Sequence, residues 1–150
     1  MYVAQHLIDW NSAYSIGLDE IDDQHKVLFD IINGMWASVI NREKGGPLLD
    51  ALDELERYTV THFTAEETFM RSHGYSNFEA HKKQHDQFIS RVRSERQSIE
   101  AGGPVSLDMI NFLKDWLINH ILVQDKAYAA EFKNKKLGVL GGFFSRLLRI

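Results

Sequence analysis

No cysteine occurs among the 150 residues, which excludes disulfides, thiolate zinc sites and cysteine-ligated iron-sulfur clusters. Any metal held by this chain must therefore sit on nitrogen and oxygen donors. Proline is scarce too: Pro47 and Pro104 are the only two, each directly after a pair of glycines, so the stretches between them are free of helix breakers of that kind. No apolar run approaches the roughly 20 residues that a membrane span requires. Residues 1–10 lack the cationic start and apolar run of a secretory leader, so a cytoplasmic location is expected. Strand-like alternation, internal repeats and low-complexity segments are also missing.

What is present suffices for one packed domain: 17.3 kDa of chain with 44% hydrophobic residues. The net charge of -4 divides unevenly. Residues 133–150 hold Lys133, Lys135, Lys136, Arg146 and Arg149 and no acid, which puts +5 on that tail and −9 on the other 132 residues. An acidic body argues against nucleic acid as a partner. Within the tail, Phe143, Phe144, Leu147 and Leu148 stand at helical spacing with Arg146 and Arg149 between them, the pattern of a short basic amphipathic helix. It can pack on the protein's own surface, or dock on a membrane surface or a membrane enzyme; both readings stay open.

Glycine and proline punctuate the body into four helical segments. After an N-terminal arm carrying Trp10 and Tyr14, Asp19 is the expected N-cap of a first helix running toward Arg42, with Ile21, Leu28, Phe29, Ile32 and Trp36 at helical spacing. Gly45-Gly46-Pro47 ends it and opens a second helix, carrying Leu48, Leu52, Leu55, Tyr58, Phe69 and Met70, that stops near Gly74. Ser76-x-x-Glu79 has the form of a capping box for a third helix, with Phe78, Phe88 and Val92 on its inner stripe. Gly102-Gly103-Pro104 breaks the chain again, and a fourth helix is expected from about Val105 to about Lys133. Connections this short favour antiparallel neighbours, so the expected fold is all-α: an up-down-up-down antiparallel four-helix bundle over residues 1–132, with the N-terminal arm, and residues 133–150 as a separate amphipathic tail.

Each helix carries metal-ligand residue types on its inner stripe. His25 shares a face with Ile21, Leu28 and Ile32; His120 shares one with Leu113, Trp116 and Leu117. His62 and Glu66, like His81 and His85, are four apart, an angular offset of only about 40°, so each pair projects from one face. His6 and His73 lie off these stripes and are expected to face solvent. Any one inward histidine alone reads as a hydrogen-bonded core residue. Burying five imidazoles and two carboxylates together costs several kcal/mol per charged group unless they are partnered, and a metal partners them all. Asp125 stands five residues after His120, about 140° round a regular helix. Either a wider turn of the π type brings it inward or it is an exposed acid.

From Trp10 to about Tyr128, the segments Asp22-Asp23-Gln24-His25, His62-Phe63-Thr64-Ala65-Glu66-Glu67, His81-x-x-x-His85 and His120-x-x-x-x-Asp125 resemble the hemerythrins, and specifically the bacterial single-domain hemerythrins. The resemblance implies a non-haem di-iron centre of two iron ions joined by an oxo or hydroxo bridge. It implies that Glu66 and Asp125 bridge the irons, that His81, His85 and His120 complete one, and that His25 and His62 leave the other an open position. Phe63, Trp116, Leu117 and Tyr128 would wall an oxygen pocket, with plain core packing an equal alternative for each. The basic tail lies beyond the usual end of the family.

The donor set bears on the chemistry. Imidazole with carboxylate suits iron, and five neutral imidazoles with two carboxylates give less negative charge to stabilise high-valent iron than the carboxylate-rich di-iron oxidases have. Reversible binding of dioxygen, as a carrier, store or supplier without substrate turnover and as a monomer, is the expected function. The alternatives are a di-iron enzyme, such as a peroxidase or a nitric-oxide-scavenging reductase, and an oxygen or redox sensor.

Overall fold

The computed structural model describes residues 6–41, 46–103 and 107–132. Helix α1 spans Asp19–Ile40, α2 Gly46–Ser72, α3 Phe78–Glu100 and α4 Leu107–Asn119. The last runs on through a π-helical turn, His120–Asp125, into α5, Lys126–Phe132, so the fourth rod of the bundle is a composite. Among the described residues there is no strand. Helix α2 packs against α1 and α3, and α4 closes the ring against the same two. With the connections so short, neighbours run antiparallel, as the expected four-helix bundle requires.

The helix ends show where local signals hold and where they fail. Gly74 (φ 66) and Gly102 (φ 90) take the left-handed conformation that lets Tyr75 N bond back to Met70 O at 2.9 Å and Gly103 N to Ser98 O at 2.8 Å, reversing the chain after α2 and α3. Asp19 is not a cap: the N-cap is Leu18, without a side-chain hydrogen bond, while Asp19, Glu20 and Asp22 fill the first turn and complement the helix dipole. Nor is there a capping box at α3. Its N-cap is Asn77, and the Ser76 hydroxyl is taken instead by Glu131 of α5 at 2.6 Å.

The arm is tied down along its length. Asn33 accepts from the backbone N–H of Leu7 at 2.8 Å and of Ile8 at 3.0 Å and donates to Ile8 O at 2.8 Å. Trp10 and Tyr14 pack on Phe29, Asp22 accepts from Ser15 and from the Ile16 N–H, and Lys126 donates to Ala13 O.

The interior divides into two apolar clusters. The larger holds Leu28, Ile32, Leu52, Leu55, Phe63, Phe88, Leu113 and Leu117; the smaller holds Ile21, Phe69, Tyr75, Tyr128 and Phe132. On every helix the candidate ligands fall between the two: His25 between Ile21 and Leu28, His62 and Glu66 between Leu55 and Phe69, His81 and His85 between Tyr75 and Phe88, His120 and Asp125 between Leu117 and Tyr128. A polar layer is thus sealed above and below by hydrocarbon. The expected tail, residues 133–150, lies outside the described residues.

Candidate metal centre

All seven candidate ligands are buried, with Glu66, His81, His85 and Asp125 at 0% exposure and His25, His62 and His120 at no more than 2%. They gather into two groups. His81 Nε2 lies 3.1 Å from His85 Nε2, and His85 Nε2 lies 3.0 Å from His120 Nε2. Asp125 Oδ1 completes this group at 3.2 Å from both His81 Nε2 and His120 Nε2. The second group is His25, His62 and Glu66, with His62 Nε2 2.7 Å from Glu66 Oε1. Asp125 spans the two, since its other oxygen, Oδ2, is 3.1 Å from His25 Nε2.

Asp125 reaches this place through the π-helical turn His120–Asp125. The wider turn absorbs one extra residue, so a side chain five positions on returns to the same face as His120. Of the two readings left open by the spacing, the inward one is what the fold adopts.

Hydrogen bonding within the protein does not account for this cluster. His85 Nδ1 faces Glu67 Oε2 at 2.8 Å and His120 Nδ1 faces Gln84 Oε1 at 3.1 Å, so in each neutral ring the proton sits on Nδ1 and the inward Nε2 is a bare lone pair. Two bare lone pairs at 3.0 Å repel unless a cation lies between them. His62 repeats the pattern, with Nδ1 on Gln24 Oε1 and Nε2 turned inward. The imidazole nitrogens of His25, His62 Nε2 and both oxygens of Glu66 and Asp125 are buried without a hydrogen bond of proper geometry among the described residues. Donors bound cis at about 2.1 Å on an octahedral metal stand about 3.0 Å apart, which is the spacing of the first group. The residues present therefore fit a pair of N/O-ligated metal ions.

The electrostatics of the cluster are set by burial and by its own carboxylates. Burial, then the neighbouring His120 and His81, hold the His85 imidazole well below its ordinary pKa and so neutral, as a ligand must be. Burial works against ionisation of Asp125, but His120, with His25 and His81 also close by, outweighs it and holds the carboxyl well below the usual range. His62 is pushed down by burial and more than restored by Glu66, ending above its ordinary value.

The four expected pocket residues distribute unevenly. Phe63 lies flat on His85 and near His62, whereas Trp116 stacks on His120 at 4.5 Å and 9°. Leu117 is buried in the larger apolar cluster. Tyr128 packs on His81 with its hydroxyl turned toward Glu66 short of hydrogen-bond geometry, and burial first, then Glu66 and Asp125, keep it protonated. His6 faces solvent beside Asp9, as expected. His73 does not: it is half-buried against Phe69 and Phe132, with Nδ1 3.0 Å from Phe69 O, because Phe132 at the end of the fourth rod lies beside the end of α2.

Gln24, Glu67 and Gln84 were not singled out in the sequence. Each is next in sequence to a candidate ligand and serves a different helix: Gln24, beside His25 on α1, holds His62 on α2; Glu67, beside Glu66 on α2, holds His85 on α3; Gln84, beside His85 on α3, holds His120 on the fourth rod. One step along a helix is a turn of about 100°, which carries a side chain from the bundle axis to the neighbouring helix. A polar residue flanking an inward ligand is the signal that finds them.

Comparison with known proteins agrees with this arrangement. Residues 16–132 match the family model described as the hemerythrin HHE cation binding domain. The chain is 39% identical over 126 residues to a bacteriohemerythrin of Methylococcus capsulatus, covering 81% of this chain and 94% of that one. A bacteriohemerythrin of Pseudomonas aeruginosa is 33% identical over 149 residues and covers 96% of each chain, so that match runs into residues 133–150, whereas the family model stops at residue 132. A crystal structure of wild-type hemerythrin superposes with a TM-score of 0.75 at 35% identity, covering 83% of this chain and 96% of that one.

Proposed function

The chain belongs to the hemerythrin family, non-haem di-iron proteins that typically bind dioxygen, and from that premise we propose that it binds dioxygen reversibly as a carrier, store or supplier. His81, His85, His120 and Asp125 would hold one iron and His25, His62 and Glu66 the other, with Asp125 Oδ2 within reach of the second. When bound, such a pair supplies two electrons to dioxygen and takes them back on release. The observation that carries the reading is the set of inward lone pairs, His85 and His120 Nε2 at 3.0 Å, whose outer nitrogens are already occupied.

The chain's own residues do the rest. Gln24, Glu67 and Gln84 keep the protons of three imidazoles on the outer nitrogens, so the inner ones stay free to coordinate. Phe63, Leu117 and Ile121 put hydrocarbon against the polar layer and keep bulk water out, which favours release of dioxygen intact over loss of reduced oxygen species. Two carboxylates, Asp125 and Glu66, stand with five imidazoles that coordinate as neutral rings, a donor balance suited to reversible capture rather than to oxidation of a substrate.

An optical spectrum tests this. Iron-loaded protein, reduced anaerobically and then exposed to air, should gain a visible charge-transfer band that fades under argon and returns with air over several cycles. Sustained consumption of reductant in air points to a di-iron enzyme instead. Absence of any reversible band refutes oxygen carriage.

A further inference from the structure

Three of the five imidazoles are held from outside, by neighbours of unlike charge. Gln24 and Gln84 offer neutral amide oxygens to His62 and His120. Glu67 alone offers a carboxylate, with Oε2 2.8 Å from His85 Nδ1. The Nδ1 atoms of His25 and His81 have no hydrogen-bond partner among the described residues. Glu67 itself belongs to neither metal-holding group.

The placement of Glu67 follows from helix α2. Glu66 points to the bundle axis, and its neighbour turns by about 100° toward α3, where His85 stands. One turn earlier on the same helix, Phe63 lies on the His85 ring with centroids 3.8 Å apart and planes 2° from parallel. Helix α2 thus fixes both the plane and the edge of the His85 imidazole. His120 is held in the same two ways, by Trp116 on its face and Gln84 on its edge. What distinguishes the two rings is the charge on the edge partner.

We propose that Glu67 is a positioning residue that acts through His85 to make the group of His81, His85, His120 and Asp125 favour the oxidised state of its metal. A carboxylate on Nδ1–H draws the proton outward and leaves more electron density on Nε2, the atom that faces His81 and His120. A more electron-rich donor stabilises Fe3+ more than Fe2+. The two groups then differ in more than their number of donors, because an anionic edge partner serves only one of them among the described residues. The inference rests on the reading of the centre as an iron site and adds which group prefers the ferric state, and why.

Glu67→Gln keeps an acceptor oxygen and removes the charge; Glu67→Ala removes both. Anaerobic potentiometric titration of the iron-loaded proteins should show the ratio of Fe3+ to Fe2+ affinity lowered by roughly tenfold in Glu67→Gln, within the usual range for losing such a partner. Zinc titration should show little change for Glu67→Gln and an affinity loss of about 10 to 100-fold for Glu67→Ala. In the metal-free protein, the His85 Nδ1 proton resonance, shifted far downfield by a carboxylate partner, should move upfield in both variants. A Glu67→Gln protein with the wild-type affinity ratio and an unmoved His85 proton overturns the proposal. If the wild-type protein binds zinc but shows no iron redox wave, the iron reading itself fails and the ferric preference with it.

Discussion

The Phe63 ring lies flat on the His85 imidazole, 3.8 Å centroid to centroid and 2° from parallel, with both side chains buried. Phe63 also borders His62, Phe88, Trp116 and His120, so one aromatic side chain touches three of the candidate ligands. Its role is therefore to fix ligand rings as much as to fill volume. Phe63→Ala should cost about 3 to 5 kcal/mol of stability, read by chemical denaturation. Phe63→Leu should fold but lose iron to a chelator faster than wild type. A Phe63→Leu protein that keeps its iron as long as wild type limits Phe63 to packing.

The π-helical turn His120–Asp125 makes a prediction about length rather than composition. A gap of five residues meets in a π turn, and a gap of four meets in a regular helix. Deleting Gln124 should let the segment relax to α-helix with His120 and the aspartate still on one face and the register of Tyr128 and Phe132 preserved. Inserting one residue at the same point should turn the aspartate away. Metal analysis checks this: close to wild-type uptake for the deletion, a large loss for the insertion. Equal loss in both refutes the idea that the turn only absorbs an extra residue.

These two cases show what a sequence does and does not reveal. The pairs His62 with Glu66 and His81 with His85 were legible because four-residue spacing sets both members on one face whatever surrounds the helix. Asp125 was ambiguous because a π turn is not marked locally; it forms where burying the carboxylate repays the irregular turn. The capping box failed for a non-local reason, since Glu131, 55 residues on, takes the Ser76 hydroxyl. Gln24, Glu67 and Gln84 were hidden because each sits beside one ligand and serves another on the next helix. His73 was misplaced because part of its cover, Phe132, lies 59 residues away in sequence.

Leu117 separates water exclusion from packing. It is buried beside the polar layer, one turn before Ile121. Leu117→Ala should cost about 2 to 5 kcal/mol as a core truncation and, in the protein that remains folded, speed autoxidation of the oxygenated form. Stopped-flow decay of the visible band in air measures it. An unchanged decay rate in a folded variant makes Leu117 a packing residue only.

The charge split predicts the behaviour of the tail. Residues 133–150 carry +5 on an amphipathic pattern, and each basic residue is worth roughly 1 kcal/mol near an anionic lipid surface. Full-length protein should sediment with phosphatidylserine-containing vesicles at low salt, less as salt rises, and a chain ending at residue 132 should not. No sedimentation of the full-length chain at low salt removes membrane docking from consideration.

The centre divides into two groups of unequal size. His25 and His62 belong to a group of three donors with Glu66, whereas His81, His85 and His120 form a group of four with Asp125. Removing a donor from the poorer group should therefore empty one position and spare the other. His25→Ala should retain about one iron per chain and give no reversible oxygen band. Asp125→Asn should lose both metals, since Oδ1 faces one group and Oδ2 lies 3.1 Å from His25 in the other. Iron analysis beside optical spectra reads both variants, and circular dichroism confirms that each is folded. If His25→Ala keeps two irons and a normal band, His25 is a buried core histidine and the second position is held by other residues.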